Sequence, residues 1–182
     1  MKSTINTDIY TCKYLTPPQF DDVILFSDGT ALTGLIFENS FDCKKFSAAE
    51  QKDLPVFDKA KRWLDEYFSG KNPPVDFPVK SFASSSFRAR VYHLLSEIPY
   101  GKTITYGDIA RTLAKQSGGK MSAQAVGGAV GSNRLCIIIP CHRVVGANGA
   151  MVGFGGGINN KIALLNLEKQ PRSNHCAFDK TE

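Results

Sequence analysis

Hydrophobic and polar positions change period several times along the chain, and the changes divide it into elements. "DIYTCKYL" and "DVILFSDGTALTGLIFE" are rich in β-branched and aromatic residues, which predicts a strand and then a hairpin turning at Asp28-Gly29. In "VFDKAKRWLDEYFSG" the period lengthens: Phe57, Ala60, Trp63, Leu64 and Phe68 recur at helical spacing, with Gly70 as the stop. "KNPPVDFPVKSFASSS" holds three prolines and a serine cluster and reads as a linker over residues 71–86. Helical patterning resumes in "FRARVYHLLSEI", where Phe87, Val91, Leu94 and Leu95 share one face. After the turn "PYGK", "TYGDIARTLAKQ" predicts a helix capped by Thr105; after "GGKM", "SAQAVGGAVGSN" predicts another capped by Ser122. Two short helices across a glycine-containing turn fit a helix-turn-helix. The stretch "IIIPCHRVVG" then sets two β-branched runs around Pro140, a buried strand broken just before Cys141, His142 and Arg143. The tail "KQPRSNHCAFDKTE" has no period and is expected to be mobile.

The second helix of the pair is unusual. Gly127, Gly128 and Gly131 sit in its interior, where each glycine costs about 1 kcal/mol relative to alanine. Val126 and Val130 supply a core-facing pair, while Ala123, Gly127 and Gly131 share a nearly flat face. Such a face admits a second backbone, either a phosphodiester chain or a neighbouring helix.

Composition narrows the class. The 182 residues are 42% hydrophobic and 21% charged, ordinary for a globular protein with a substantial core. No run of about 18 apolar residues is present, and the N-terminus lacks the apolar core of a signal peptide. Five cysteines, an odd number without a CxxC pair, predict reduced thiols in the cytoplasm and no structural metal site. The net charge of +5 is lopsided: residues 1–80 hold 10 Lys and Arg against 12 Asp and Glu, residues 81–182 hold 12 against 5. The basic half suggests a polyanionic partner.

Chemistry concentrates at Cys141. A free thiol is only about 3% ionised at neutral pH, and the thiolate is the nucleophile. His142 can take its proton and Arg143 can add a favourable field. Neighbours on a regular strand point to opposite faces, so the break at Pro140 is needed before both side chains share a pocket. On these residues alone, a buried structural thiol accounts for Cys141 better than a nucleophile does.

Several blocks in order alter that balance. "FRARVYHLLSEIPYGKTITYGDIA", "AVGGAVGSNRLCIIIPCHRVV" and "GFGGGINNKIALLNLE" closely resemble the O6-alkylguanine-DNA alkyltransferases over residues 85–168, and "DEYFSGK" and "DFPV" extend the likeness weakly towards the N-terminus. The resemblance implies an α+β protein: a small RNase H-like α/β domain (1–80), a mainly helical DNA-binding and catalytic domain with a helix-turn-helix (81–170), and a tail (171–182). It implies single-turnover transfer of an alkyl group from guanine O6, or thymine O4, to Cys141 after base flipping. His142 would be the base acting through water, oriented by Glu168, and Tyr106 would donate to the departing guanine. Asn133 would be the hinge, and Val144, Phe154, Gly155 and Arg143 would belong to the pocket. Thr105, Ala123, Gln124, Gly127, Gly131 and Arg134 would meet DNA. The partner would be duplex DNA carrying the lesion, with no cofactor, membrane or obligate protein partner, and the protein a monomer. Three positions depart from the family's usual residues: Gln124 for arginine, Arg134 for proline and Phe154 for tyrosine. A lesion-binding module without transfer is the alternative, and a helix-turn-helix regulator is a weaker third.

Overall fold

The computed structural model describes residues 10–40 and 49–169. The start of the first predicted strand and the expected mobile tail lie outside these residues, as do Cys43 and Cys176.

The N-terminal part is a four-stranded sheet in the order β3-β2-β1-β4, built from β1 (Tyr10–Tyr14), β2 (Val23–Ser27), β3 (Leu32–Phe37) and β4 (Glu50–Gln51). The β1–β2 and β2–β3 pairs are antiparallel, and β4 joins β1 in parallel. The hairpin turns at the expected place. Asp28 Oδ1 accepts from the Thr30 and Ala31 amides, and Gly29 takes a left-handed φ of 97° that suits a residue without Cβ. The helix α1 (Pro55–Phe68) starts at a proline, whose missing N–H costs nothing there, and stops before Gly70 (φ 87°). It buries Phe57, Ala60, Leu64 and Tyr67. These share one core with Val23, Leu25, Leu35 and Phe37 of the sheet.

The stretch expected as a linker is bound to the sheet. Leu32 N donates to Pro78 O and Lys80 N to Leu32 O, both at 2.8 Å, and Phe77 is buried. Its prolines prevent a helix, yet the open edge of β3 supplies hydrogen-bond partners that local composition does not reveal.

The C-terminal part packs α2 (Ser86–Ser96), α3 (Tyr106–Ser117) and α4 (Ala123–Gly131) against one another. The expected caps are in place. Thr105 and Asp108 form a reciprocal capping box on α3, and the Ser122 hydroxyl accepts from Ala125 N on α4. Arg90 reaches from α2 to the Leu113 carbonyl in the last turns of α3, at 3.2 Å. Two short strands, β5 (Ile104–Thr105) and β6 (Val144–Val145), pair in parallel, and α5 (Ile158–Lys169) closes the domain.

The strand expected at "IIIP" is absent. Only Leu135 bridges the sheet, to Leu35, and residues 136–139 turn with Ile137 at a left-handed φ of 69°. A β-branched residue takes that conformation only where its surroundings impose it. Here Asn133 and hydrogen bonds at both ends of the turn impose it.

Candidate active site at the helix-turn-helix cleft

Asn133 follows α4 and has its side chain fully engaged. Its Oδ1 accepts from Leu135 N at 3.0 Å, while Nδ2 donates to Ile139 O at 2.9 Å and to Cys141 Sγ at 3.0 Å. One amide thus closes the 133–141 loop and points a donor at the sulfur. Pro140 leads into a single 3-10 turn, Cys141–Arg143, whose three side chains are all buried. The β5–β6 pairing sets this turn beside the start of α3, because Thr105↔Val145 immediately precedes Tyr106.

The turn separates the partners of its first two residues. Cys141 faces Asn133, whereas His142 Nε2 lies 2.8 Å from Glu168 Oε1 on α5. No direct His142–Cys141 hydrogen bond is present among the described residues. Glu168 accepts from five donors: Tyr67 Oη (2.7 Å), His142 Nε2 and Arg143 Nη2 (both 2.8 Å), Arg143 Nε (2.9 Å) and Gly101 N (3.0 Å). Burial alone would raise its pKa. Hydrogen bonds from His142 and Arg143, and the Arg143 charge, outweigh burial and hold the carboxyl well below the usual range. A carboxylate accepts only, so the proton of neutral His142 is assigned to Nε2 and Nδ1 is left as the basic nitrogen. Burial lowers the pKa of His142 despite Glu168, which keeps the ring neutral near pH 7. Nδ1 has no hydrogen-bond partner among the described residues.

The Cys141 thiol is pulled towards its ionised form. A hydrogen bond from Cys136 lowers its pKa most; burial opposes this, and Asn133, its own backbone N–H and the Lys161 charge add to the lowering. Lys161 is fully buried, and its ammonium donates to the carbonyls of Val144 (2.6 Å), Val152 (2.7 Å) and Gly153 (3.3 Å). It therefore ties the Cys141–Arg143 turn to the loop before α5.

Between α3, α4 and that loop lies a cleft of about 800 Å³, within the range of small-molecule pockets. Thr105, Tyr106, Ala123, Gly127, Gly131, Phe154 and Gly155 all line it. Cys141 does not line it and is 4% exposed, but its charge reaches Tyr106, whose pKa is raised by burial first and then by Cys141. Tyr106 Oη donates to Gly153 O at 3.3 Å. The α4 glycines are not required by packing within the chain: a Cβ at Gly128 or Gly131 would meet nothing within 4 Å, and one at Gly127 only the Tyr106 ring at an ordinary 3.9 Å. The flat face is open to an external occupant.

The remaining expected site residues make the following contacts. Thr105 commits its hydroxyl to capping α3. Gln124 is exposed on α4, one residue from the cleft-lining Ala123. Arg143 is a partner of Glu168 and of Ile98 O (2.7 Å) rather than a pocket wall. Val144 already accepts from Lys161, and its N–H donates to Cys141 O. Arg134 does not join the cleft: its guanidinium lies 5.9 Å from the Phe26 ring of β2, on the N-terminal sheet. Leu135 is drawn to Leu35, which carries its neighbour onto the same sheet. Tyr67, Gly101, Cys136 and Lys161 were not expected in the site. Tyr67 alone left a trace, since it falls on the apolar stripe of α1 and a buried phenol needs a partner. Among the described residues no group of His, Cys, Asp and Glu could hold a metal ion, and no helix is long and apolar enough to cross a membrane.

Fold and site together define a helix-turn-helix protein with a buried cysteine, hydrogen-bonded by Asn133, beside its glycine-faced helix. Family models match most of the chain: the 6-O-methylguanine DNA methyltransferase ribonuclease-like domain over residues 15–81 and the DNA-binding domain of the same proteins over 86–170. A methylated-DNA–protein-cysteine methyltransferase of Haemophilus influenzae is 36% identical over 166 residues, covering 91% of this chain and 89% of that protein. One from Mycobacterium leprae is 36% identical over 160 residues, covering 87% and 92%. The solved structure of Mycobacterium tuberculosis OGT in complex with DNA superposes with a TM-score of 0.74 at 36% identity, over 88% of this chain and 93% of that one. The chain belongs to the methylated-DNA–protein-cysteine methyltransferase family.

Proposed function

We propose that this protein repairs O6-alkylated guanine in duplex DNA by moving the alkyl group onto Cys141, once per molecule. The observation that carries the reading is the Cys141 sulfur held by Asn133 beside a cleft whose α4 wall is built of small residues, Ala123, Gly127 and Gly131, with Val130. A target inside a duplex is out of reach, so the base must leave the stack, at a cost of a few kcal/mol. The open face of α4 lets the phosphodiester chain approach while the base enters the cleft.

Glu168 holds His142 with Nδ1 unprotonated, and His142 takes the thiol proton through one water. The thiolate attacks the alkyl carbon, a C–S bond forms, and the C–O bond to guanine breaks. Negative charge develops on the purine, and Tyr106, kept protonated by its raised pKa, donates to it. The product is a thioether, which water does not cleave, so the cysteine is not regenerated. The described cysteines are free thiols, which suits a reducing compartment, and we assign the protein to the cytoplasm.

The test is incubation with a duplex carrying radiolabelled O6-methylguanine. Label should reach the protein at up to one methyl per chain and be absent from Cys141→Ser. Turnover beyond one equivalent, or labelling of that variant, would overturn the mechanism.

A further inference from the structure

Glu168 draws one of its five donors from the far end of the chain. Tyr67, in the last turn of α1, places its Oη 2.7 Å from Glu168 Oε1, and both residues are buried. The ring is fixed independently of the carboxylate. It stacks on Trp63 with centroids 5.6 Å apart and meets Tyr100 edge-on at 6.1 Å. A carboxylate accepts only, so the phenol is the donor. Burial, and then the Glu168 charge, raise the pKa of Tyr67 and keep that proton in place.

The load on the two oxygens is unequal. Oε1 takes Tyr67 Oη, His142 Nε2 and Arg143 Nη2, whereas Oε2 takes Arg143 Nε and Gly101 N. One carboxylate oxygen offers about two lone-pair sites, so three donors on Oε1 compete for its charge. Of the three, Arg143 is always a cation and the phenol stays neutral; His142 alone changes charge near neutral pH. Its ring is faced by Glu168 and Lys161 from α5, by Arg143 of its own turn and by the Phe154 ring at 6.5 Å. Glu168 favours the imidazolium, while burial, Arg143 and Lys161 oppose it. The share of Oε1 taken by Tyr67 therefore weakens the one contact that favours protonation.

We propose that Tyr67 is a positioning residue of the transfer, contributed by α1: its phenol shares Glu168 Oε1 with His142 and so keeps the imidazole neutral, with Nδ1 free to take the Cys141 proton. For the use made of Nδ1 the proposal rests on the alkyl-transfer reading; the effect on the ring does not. Without the phenol, Oε1 turns more negative charge towards His142, the imidazolium is stabilised, and Nδ1 acquires a proton at higher pH.

The experiment follows the His142 ring by NMR of ring-labelled histidine between about pH 5 and 8, the range in which imidazole titrates. It uses the full chain, Tyr67→Phe and Trp63→Phe, with the signal assigned by its loss in His142→Gln. Tyr67→Phe keeps the ring and removes the donor, and should raise the His142 midpoint by about one pH unit. Trp63→Phe disturbs the stacking and keeps the donor, so its midpoint should stay with wild type. If Tyr67→Phe does not fold, 3-fluorotyrosine in place of tyrosine gives a stronger donor of nearly the same shape and should move the midpoint down. A midpoint unmoved by loss or strengthening of the donor overturns the role, and so does an equal shift in Trp63→Phe, the mark of a packing effect. A parallel arm measures single-turnover transfer from the O6-methylguanine duplex against pH. In Tyr67→Phe the acid limb should move up with the ring titration, a roughly tenfold slower transfer below the midpoint, with the high-pH plateau retained. No transfer by wild type sinks the reaction and leaves the NMR arm to judge Tyr67; transfer by wild type with an unmoved acid limb in Tyr67→Phe sinks only the part given to Tyr67.

Discussion

Replacing Glu168 with glutamine removes one charge and turns one acceptor oxygen into a donor group, at a point where five donors converge. Whichever way the amide is placed, its NH2 faces donors. On one side stand Tyr67, His142 and Arg143 Nη2; on the other, Arg143 Nε and Gly101 N. Arg143, 7% exposed, loses its counter-ion at the same time. Breaking a buried ion pair by removing one partner costs about 3–5 kcal/mol, a large share of a domain stability of about 5–15 kcal/mol. Urea unfolding reads this directly, because the single tryptophan, Trp63, is stacked on Tyr67 with ring centroids 5.6 Å apart. The pH dependence provides a second check. The folded-state pKa of Glu168 lies below its unfolded value, so its stabilisation is fully present above about pH 4.3 and is lost as pH falls through the folded value. The gap between wild type and Glu168→Gln should hold from neutral pH to about pH 5 and narrow only on further acidification. A variant within about 1 kcal/mol of wild type at pH 7 would refute the assignment of Arg143 and His142 to this carboxylate.

Gly156→Ala should also destabilise, since its Cβ would sit 2.4 Å from Phe37 Cδ2 and 2.7 Å from Phe154 Cε1. Overpacking of this kind costs about 1–3 kcal/mol and lowers Tm by about 2–4 °C per kcal/mol; an unchanged Tm would mean that both rings swing clear. Gln124→Arg should tighten duplex binding at moderate salt and steepen the log–log salt dependence by about 0.9, as measured by fluorescence anisotropy. Unchanged or weaker binding would mean that the site is built around glutamine.

Features set by neighbouring residues are legible in the sequence. The caps Thr105 and Ser122, the Asp28-Gly29 turn and the stripe of α1 all arise from chemistry within a few positions. Features set by the other end of the chain are not. "IIIP" has a strand's composition, but only Leu135 finds a ladder partner, and Asn133 captures residues 136–139 into a turn. Arg134 adds to the charge of the basic half, yet its neighbour's bridge to Leu35 carries it to Phe26. The family likeness pointed to Cys141, His142, Glu168 and Tyr106, and the fold gathers all four around the 141–143 turn. It was silent on Cys136, Lys161 and Tyr67, whose side chains act through tertiary contacts rather than spacing.

Those contacts give the N-terminal sheet and helix a part in the site. Glu168 would orient His142 with fewer donors if Tyr67 of α1 did not reach across at 2.7 Å. The reversed turn carrying both thiols begins on β3, where Leu35 takes a hydrogen bond from Cys136 N and donates to Arg134 O at 2.7 Å. The aromatic wall of the cleft rests on the same strand, since Phe154 meets Phe37 edge-on with centroids 6.1 Å apart. Asp21, in the loop before β2, holds α5 through Asn160, with contacts of 2.8 and 2.9 Å. A left-handed isoleucine and a buried lysine each carry a local cost, and these attachments to the N-terminal sheet and helix offset it. The strained turn that aims the Cys141 sulfur is therefore a property of the whole chain rather than of the helix-turn-helix half in which it lies.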